Sequence, residues 1–307
     1  MSLPLSRPLR LGTRASPLAL AQARLVATAL RIAHGWGEEA IEIIPITTSG
    51  DVIQDRPLAE VGGKALWTKE LDRCLVDGRT DISVHSMKDV ETIRPERLVI
   101  GAMLPRADAR DRLIGADSLA ALPDGARLGT SSPRREAQLR ARRPDLRVML
   151  LRGNVQTRLA KLANNEVDAT LLAAAGLDRL GMQAVGTPID DMLPAPSQGA
   201  IGIEALADND EVMALLDPID DRVTHDCVDL ERGFLLGAGG DCHSALAAHA
   251  AADGDAILLK AEILSPDGRE LVAGELLCAP GDHERAAQLA LDLLGKASPA
   301  LRARYAA

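Results

Sequence analysis

The tetrapeptide Arg10-Leu11-Gly12-Thr13 recurs as Arg127-Leu128-Gly129-Thr130, and a Ser-Pro pair follows each copy closely, Ser16-Pro17 and then Ser132-Pro133. Four matching residues alone say little, but the shared context constrains the chain far more. Each copy reads as a short strand, a tight turn and the start of a helix. Serine at the N-cap accepts a hydrogen bond from a first-turn N–H, and proline at the first helical position has no N–H to lose. A strand that feeds a helix twice in this way predicts two similarly built α/β domains.

The rest of the chain continues the alternation. Strand-like runs fall at 9–13, 41–47, 81–85 and 98–104, then at 126–130, 147–151, 168–173 and 200–205. Helical periodicity occupies 18–32, 68–76, 134–142 and 155–162, with Gly35 and Gly78 where left-handed C-caps are expected. Such alternation predicts α/β architecture with largely parallel sheets. The second domain is expected to begin near Pro105, and the proline-rich stretch 188–196 to return the chain to the first. From about Pro218 the pattern changes to a helix, strands at 244–251, 256–264 and 270–277, and a last helix, which together predict a small α+β domain. The expected division is 1–104 with 199–217, then 105–198, then 218–307, in keeping with a length of 307 residues.

Composition narrows the function. Aromatic residues make up 1% of the chain, too few for a platform that stacks bases along a nucleic acid. With 44 acidic against 35 basic side chains and a net charge of −9, the protein is no general polyanion binder. No apolar run reaches the ~18 residues of a membrane span; the stretch 169–177 is stopped by Asp178. Cys74, Cys227, Cys242 and Cys278 form no C-x-x-C pair, which suits a reducing compartment better than a disulfide framework. Arginines outnumber acids before Glu38, as in a transit peptide, but a strand from residue 9 leaves little room for one, and no export signal is read.

Several clusters could carry chemistry. The N-terminus of a helix presents unpaired N–H groups and favours an anion. Arg14 stands in the first strand-to-helix turn, and the second, Thr130-Ser131-Ser132-Pro133-Arg134-Arg135, adds hydroxyls and two guanidiniums. Between Arg134 and Lys161 the basic residues are Arg134, Arg135, Arg140, Arg142, Arg143, Arg147, Arg152, Arg158 and Lys161, against Glu136 and Asp145. Arg140, Arg142 and Arg143 read as a solvated helix face. Arg134, Arg135, Arg152 and Arg158 fall at turns and helix starts, where bidentate capture of a carboxylate or phosphate is expected, so the ligand is read as an anion with several negative groups. Val84-His85-Ser86-Met87-Lys88-Asp89 follows a strand, the place where α/β proteins put catalytic groups, and Asp89 could serve as acid, base or counter-ion. Gly239-Gly240-Asp241-Cys242-His243 presents a thiol on a glycine loop. Cys242, His243 and His249 lack standard zinc spacing and a fourth member, so no metal is read there. Val61-Gly62-Gly63-Lys64 lacks the spacing of a phosphate loop and reads as a flexible loop with a cationic lysine. On these residues alone a Cys–His hydrolase and a non-catalytic anion-binding protein both stay open.

Taken together the motifs resemble the porphobilinogen deaminase family, also called hydroxymethylbilane synthases. The matching segments are LRLGTRASPLALAQA, TSGDVIQDRPLAEVGGKALWTKEL, DISVHSMKDV, LGTSSPRREAQL, LRGNVQTRLAKL, AAAGLDRLG, PSQGAIGIE and GGDCHSALAAHA, in the family's order. The resemblance implies two α/β domains like type II periplasmic binding proteins around a cleft, plus a small α+β C-terminal domain. It implies a transferase that joins four porphobilinogen molecules head to tail with loss of ammonia and releases hydroxymethylbilane. It further implies a dipyrromethane cofactor, one per chain, held through a thioether by Cys242.

By the same resemblance Asp89 is the catalytic residue. Lys88, Thr130, Ser131, Ser132, Arg134, Arg135 and Arg158 would bind the cofactor, and Arg14, Ser16, Lys64, Trp67, Arg152, Arg179 and Gln198 the substrate. Each pyrrole carries an acetate and a propionate, so a growing chain gathers carboxylates that the basic cluster would balance. The resemblance also implies a cytoplasmic monomer without nucleic-acid or membrane partners, whose product passes to uroporphyrinogen-III synthase. Departures from the family lie at Glu60, where some members carry lysine; at Glu91, in place of a proline after Asp-Val; and around Cys242, where Asp241 intervenes and Ser244-Ala245-Leu246 lacks a proline. These leave the loop conformations open.

Overall fold

The computed structural model describes residues 7–48, 67–241 and 243–305. They fall into two compact units: one takes the chain up to Ala107 with Ala200–His225, the other Asp108–Gly199 with the residues from Asp226 onward. The first unit contains β1 (Leu9–Arg14), α1 (Pro17–His34), β2 (Ile41–Ile46), α2 (Lys69–Val76), β3 (Ile82–Ser86) and β4 (Leu98–Met103). The second begins with β5 (Asp111–Ile114), β6 (Arg127–Thr130), α3 (Pro133–Arg142), β7 (Arg147–Leu150), α4 (Val155–Ala163), β8 (Ala169–Ala173), α5 (Ala174–Arg179) and β9 (Thr187–Ile189). The chain then adds β10 (Ile201–Leu206) and α6 (Asp210–Leu216) to the first unit. After α7 (Arg222–Gly237) come β11 (Leu246–Asp253), β12 (Ala256–Leu264), β13 (Leu271–Cys278), α8 (His283–Lys296) and α9 (Pro299–Arg302).

Both five-stranded sheets have the same plan. The first runs β2-β1-β3-β10-β4 and the second β7-β6-β8-β5-β9. In each, the strand carrying Arg-Leu-Gly-Thr is parallel to both neighbours, and the fourth strand, β10 or β5, is antiparallel to both of its own. The expected α/β class with mixed, largely parallel sheets is borne out. The helix starts agree as well: Ser16 Oγ accepts from Ala19 N at 3.3 Å, Ser132 Oγ accepts from Arg135 N at 3.4 Å, and Pro17 and Pro133 open their helices. Gly35 takes the left-handed conformation that ends α1, with φ 66°.

The repeated tetrapeptide has a partner in each unit that the repeat itself does not announce. Arg10 N donates to Asp81 Oδ2 at 2.8 Å and its guanidinium to Asp81 Oδ1 at 3.0 Å; Arg127 N donates to Asp168 Oδ2 at 2.7 Å and its guanidinium to Oδ1 at 2.7 Å. Each aspartate returns its own N–H to the arginine carbonyl, at 2.8 Å in both units. These clamps sit where β1 meets β3 and where β6 meets β8, and they fix the register of the parallel pair.

Apolar packing follows the helical periods. Ala23, Val26, Ala27 and Leu30 of α1 bury one stripe against Leu9, Leu11, Ile82 and Ile203 of the first sheet. Leu113, Leu128, Leu139 and Leu171 build the core of the second. A separate core under β11–β13 gathers Phe234, Leu246, Leu259 and Leu293. There α7 and α8 cross closely, because a Cβ on Gly237 would run into the Ala287 backbone. The buried Glu231 carboxylate of α7 accepts from Ser197 N at 2.5 Å and Ala250 N at 2.7 Å, tying the crossing segment to the C-terminal sheet.

Two strands differ from expectation. β5 has only four residues and opens with Asp111 and Arg112, both buried, so no apolar run announces it. β9 holds Pro188, expected in the crossing segment; it is the edge strand of its sheet, where a missing N–H does little harm.

Burial works to raise the Asp81 carboxyl, but the bonds from Arg7, Arg10 and Arg10 N–H overcome it and hold the group well below the usual carboxylate range. Its contribution is therefore complete above the unfolded value of about 3.9 and declines as the pH falls below that. Asp81→Asn should cost about 1–3 kcal/mol at pH 7. The gap from wild type should narrow towards pH 3, as read by urea midpoints at both pH values.

Candidate active site

β3 ends at Ser86, and Met87–Asp89 forms a single 3₁₀ turn that leaves Asp89 half-buried. Asp89 lines a hollow of the first unit with Arg14, Gln22, Trp67, His85 and Ser86. The Arg14 guanidinium lies over the Trp67 ring, 3.9 Å from its centroid, a cation–π contact. Gln22 Nε2 donates to Ser86 Oγ at 2.8 Å, which fixes the last residue before the turn. Lys88 is half-buried within the turn, and Ser16 is half-buried too, with its hydroxyl capping α1. Met87 N donates to Ala200 O at 3.2 Å, and a Cβ on Gly202 of β10 would collide with Met87 Sδ, so a larger residue there forces the buried Met87 side chain to move.

Behind the hollow lies a buried charged cluster. His85 Nε2 is 3.1 Å from Glu204 Oε2. Arg94 binds Glu204 with Nε at 2.8 Å and Nη2 at 3.0 Å, Asp72 at 2.5 Å and Glu91 at 2.6 Å. Thr68 Oγ1 lies 2.9 and 3.0 Å from the two Glu91 oxygens. Burial favours the neutral form of Glu204, yet His85 and Arg94 outweigh it and hold the carboxyl near 2. Burial, aided by nearby Glu204, pushes Asp72 up against the pull of Arg94. The departure at Glu91 thus has a definite structure, with its carboxylate joining Thr68 to Arg94.

In the second unit, Ser132 N donates to Thr130 Oγ1 at 3.1 Å in the turn before α3. Arg158 donates to Ser131 Oγ at 3.3 Å and to Gly153 O at 2.9 Å, so Ser131 and Arg158 come together. Arg134 and Arg135 do capture a carboxylate, but it is the chain's own. Asp111 accepts from Arg134 at 2.8 Å and from Arg135 at 2.7 and 3.2 Å, and all three residues are buried. Gln198 Nε2 joins them, donating to Asp111 Oδ1 at 2.8 Å. Burial opposes the Asp111 charge, yet the two guanidiniums and the amide hold it far below the usual range. Arg142 and Arg143, read as solvated, are only partly exposed; both donate to backbone carbonyls, Arg142 to that of Asp191 and Arg143 to those of Leu119 and Leu122.

Two other arginines are placed differently. Arg179 donates to Gly199 O at 2.6 Å, and burial lowers its guanidinium to about 10, with only a weaker opposing pull from Asp178. Arg152 has Nη1 buried with no partner among the described residues. Desolvated cationic groups that are not hydrogen-bonded to a carboxylate are costly unless a ligand supplies one.

Lys64, Glu60 and Cys242 lie outside the described residues. On either side of Cys242, Asp241 Oδ1 accepts from His243 N at 2.8 Å and Asp241 N donates to Ser244 Oγ at 3.0 Å. Burial pushes the Tyr305 hydroxyl up to about 12, although it accepts a backbone hydrogen bond from Ala245.

The sequence reading missed Asp72, Arg94, Asp111 and Glu204. Glu204 ends the quoted segment PSQGAIGIE, which is a usable signal; the other three carry none, because their partners are far away in the chain.

One α/β unit thus carries a strand-end aspartate in a hollow, and the other carries half-buried guanidiniums bonded to no carboxylate, Arg152 and Arg179, the kind of setting in which α/β enzymes place their site groups. Residues 9–214 match the family model described as porphobilinogen deaminase, dipyromethane cofactor binding domain, and residues 225–297 match that of the porphobilinogen deaminase C-terminal domain. A protein of Sphingopyxis alaskensis named porphobilinogen deaminase is 56% identical over 307 residues, covering 97% of each chain. One of the same name from Paracoccus denitrificans is 47% identical over 296 residues, covering 94% of this chain and 95% of its own. This chain belongs to the porphobilinogen deaminase family. Among solved structures, a periplasmic binding protein of Salmonella typhimurium gives a TM-score of 0.39 at 16% identity, covering 72% of this chain and 94% of its own. The aliphatic sulphonate binding protein of Escherichia coli also gives 0.39, at 14% identity, covering 76% and 70%.

Gly202→Ala should displace the Met87–Asp89 turn. Turnover should fall about tenfold or more, since small misplacements of a reacting group are amplified in rate. Circular dichroism should show the fold retained.

Proposed function

We propose that this protein joins four porphobilinogen molecules head to tail, with release of ammonia, and delivers the linear tetrapyrrole hydroxymethylbilane. The observation that supports this reading most directly is Arg179, half-buried, shifted down to about 10 by desolvation and hydrogen-bonded to a carbonyl rather than a carboxylate. Every pyrrole of the substrate and of a dipyrromethane carries two carboxylates, which supply the missing charge. The residues of the second unit therefore fit a dipyrromethane group, with Arg158, Thr130, Ser131 and Ser132 assigned to it and Arg152 and Arg179 to the carboxylates of the substrate. When bound, that group provides the primer from which the chain grows, and Cys242 is the residue assigned to hold it.

Arg134, Arg135 and Gln198 act one step back. They hold Asp111, and through it β5, at a fixed place beside the Thr130–Ser132 turn. In the first unit Asp89 holds or moves a proton at its carboxylate and stabilises positive charge on a pyrrole nitrogen. Arg14, Ser16, Trp67 and Lys64 are assigned to the incoming substrate. The same reading makes the protein a cytoplasmic monomer that hands its product to uroporphyrinogen-III synthase. No helix among the described residues is long and apolar enough to cross a membrane.

Intact mass of the denatured protein, with peptide mapping, tests the reading. A dipyrromethane adduct is expected on the peptide containing Cys242, and Cys242→Ser should abolish it. Asp89→Ala should keep the adduct and lose about 10²–10⁴-fold in turnover. Adduct on another peptide, or normal turnover in Asp89→Ala, would overturn the assignments.

Arg179→Met separates ligand binding from folding. A partly desolvated cation with no hydrogen-bonded carboxylate weakens the fold, so its removal from adduct-free protein should leave the melting temperature unchanged or raised. Turnover of the loaded variant should fall.

A further inference from the structure

The charged cluster behind Asp89 is more elaborate than the reaction requires. Arg94 has a side chain only 9% exposed, yet it binds carboxylates from three separate pieces of chain: Asp72 on α2, Glu91 in the loop after Asp89, and Glu204 on β10. Each carboxylate leads elsewhere. Glu91 reaches Thr68 Oγ1 at 2.9 Å, and Thr68 is the neighbour of Trp67, which carries Arg14 on its face. Glu204 reaches His85, the residue before Ser86 and the Asp89 turn. One guanidinium therefore connects two walls of the hollow, the Trp67–Thr68 wall and the His85–Asp89 wall.

Three carboxylates converge on one guanidinium, with His85 against one of them, and burial with nearby Glu204 raises Asp72. Apolar side chains would fill the same space with no desolvation cost, so stability alone gives little reason for the arrangement. The planar fork of Arg94, in contrast, sets several directions at once, which lysine or an apolar residue would not do.

We propose that Arg94 is a positioning residue: through Glu91–Thr68 and Glu204–His85 it holds the Trp67–Arg14 stack and the Asp89 turn at a fixed spacing across the hollow. This rests on the reading of Asp89 as the catalytic residue, and the test keeps the two apart.

Thr68→Val removes the hydroxyl that links the cluster to Trp67 and leaves the ion pairs intact. Arg94→Lys keeps the charge and loses the fork. Both are made in the full chain with Trp36→Phe, so that Trp67 is the remaining tryptophan. Asp81→Asn serves as a control that weakens the same unit without touching the cluster. Acrylamide quenching of Trp67 is measured together with kcat and KM.

Both variants should raise Trp67 quenching and lower kcat about tenfold, with little change in KM, as expected for loosened geometry. Asp81→Asn should change neither quenching nor kcat. Unchanged quenching in Thr68→Val and Arg94→Lys, or equal changes in Asp81→Asn, overturns the proposal. Raised quenching with normal kcat also overturns it, because the cluster would then hold the wall without serving catalysis. Normal turnover in Asp89→Ala would instead remove the reading beneath it, while the quenching result would still report on the brace.

Discussion

The paired clamps Arg10–Asp81 and Arg127–Asp168 govern the layout of both units. Each joins a side-chain ion pair to two backbone hydrogen bonds at the start of a parallel pair, so the register cannot slip without breaking several bonds together. With the starts aligned, the far ends of the strands are aligned as well. In the first unit those ends bring Arg14 beside Ser86 and Asp89 around one hollow; in the second they put Thr130–Ser132 and the α3 N-terminus at the same end of the sheet as the passage from β8 into α5. Reactive groups at the carboxyl ends of parallel strands are the general expectation for such sheets.

Charge is sorted by depth in this molecule. A chain with a net charge of −9 still places guanidiniums deep inside, and most of them meet internal carboxylates. Arg134 and Arg135 converge on Asp111, and Arg94 on Asp72, Glu91 and Glu204. Arg179, hydrogen-bonded to the Gly199 carbonyl, and the buried Nη1 of Arg152 break that rule. A sum of charge over the segment from Arg134 to Lys161 treats Arg134, Arg135 and Arg152 alike. Their individual partners separate the scaffold from the binding surface.

Much of the fold was legible because its signals are local. Ser16-Pro17 and Ser132-Pro133 announced helix starts through capping chemistry, and Gly35 announced an end. β5 and β9 were not legible. The first opens with charged residues whose burial depends on partners from α3 and beyond, and the second is a three-residue edge strand containing proline. The site followed the same divide. Asp89 stood out from its place after a strand, whereas Arg134, Arg135 and Gln198 looked like ligand groups until Asp111 was found among them. Nothing in the sequence ties Arg94 to Asp72, Glu91 and Glu204, because those pairings are made by the packing of α2 and β10.

The position of β10 in the chain bears on how the protein is made. The ribosome delivers β1 to β4 early, but the strand that lies between β3 and β4 is synthesised only after the whole of the segment from β5 to β9. Until then β3 and β4 have no common partner, and Glu204 is not there to meet His85 and Arg94. A nascent or truncated chain therefore carries Asp89 without the structure behind it. Long-range pairing of this kind is slow to form and leaves strand edges exposed meanwhile. The order of synthesis thus delays completion of the first sheet, and of the cluster around Arg94 and Glu204, until the second sheet's strands have all emerged.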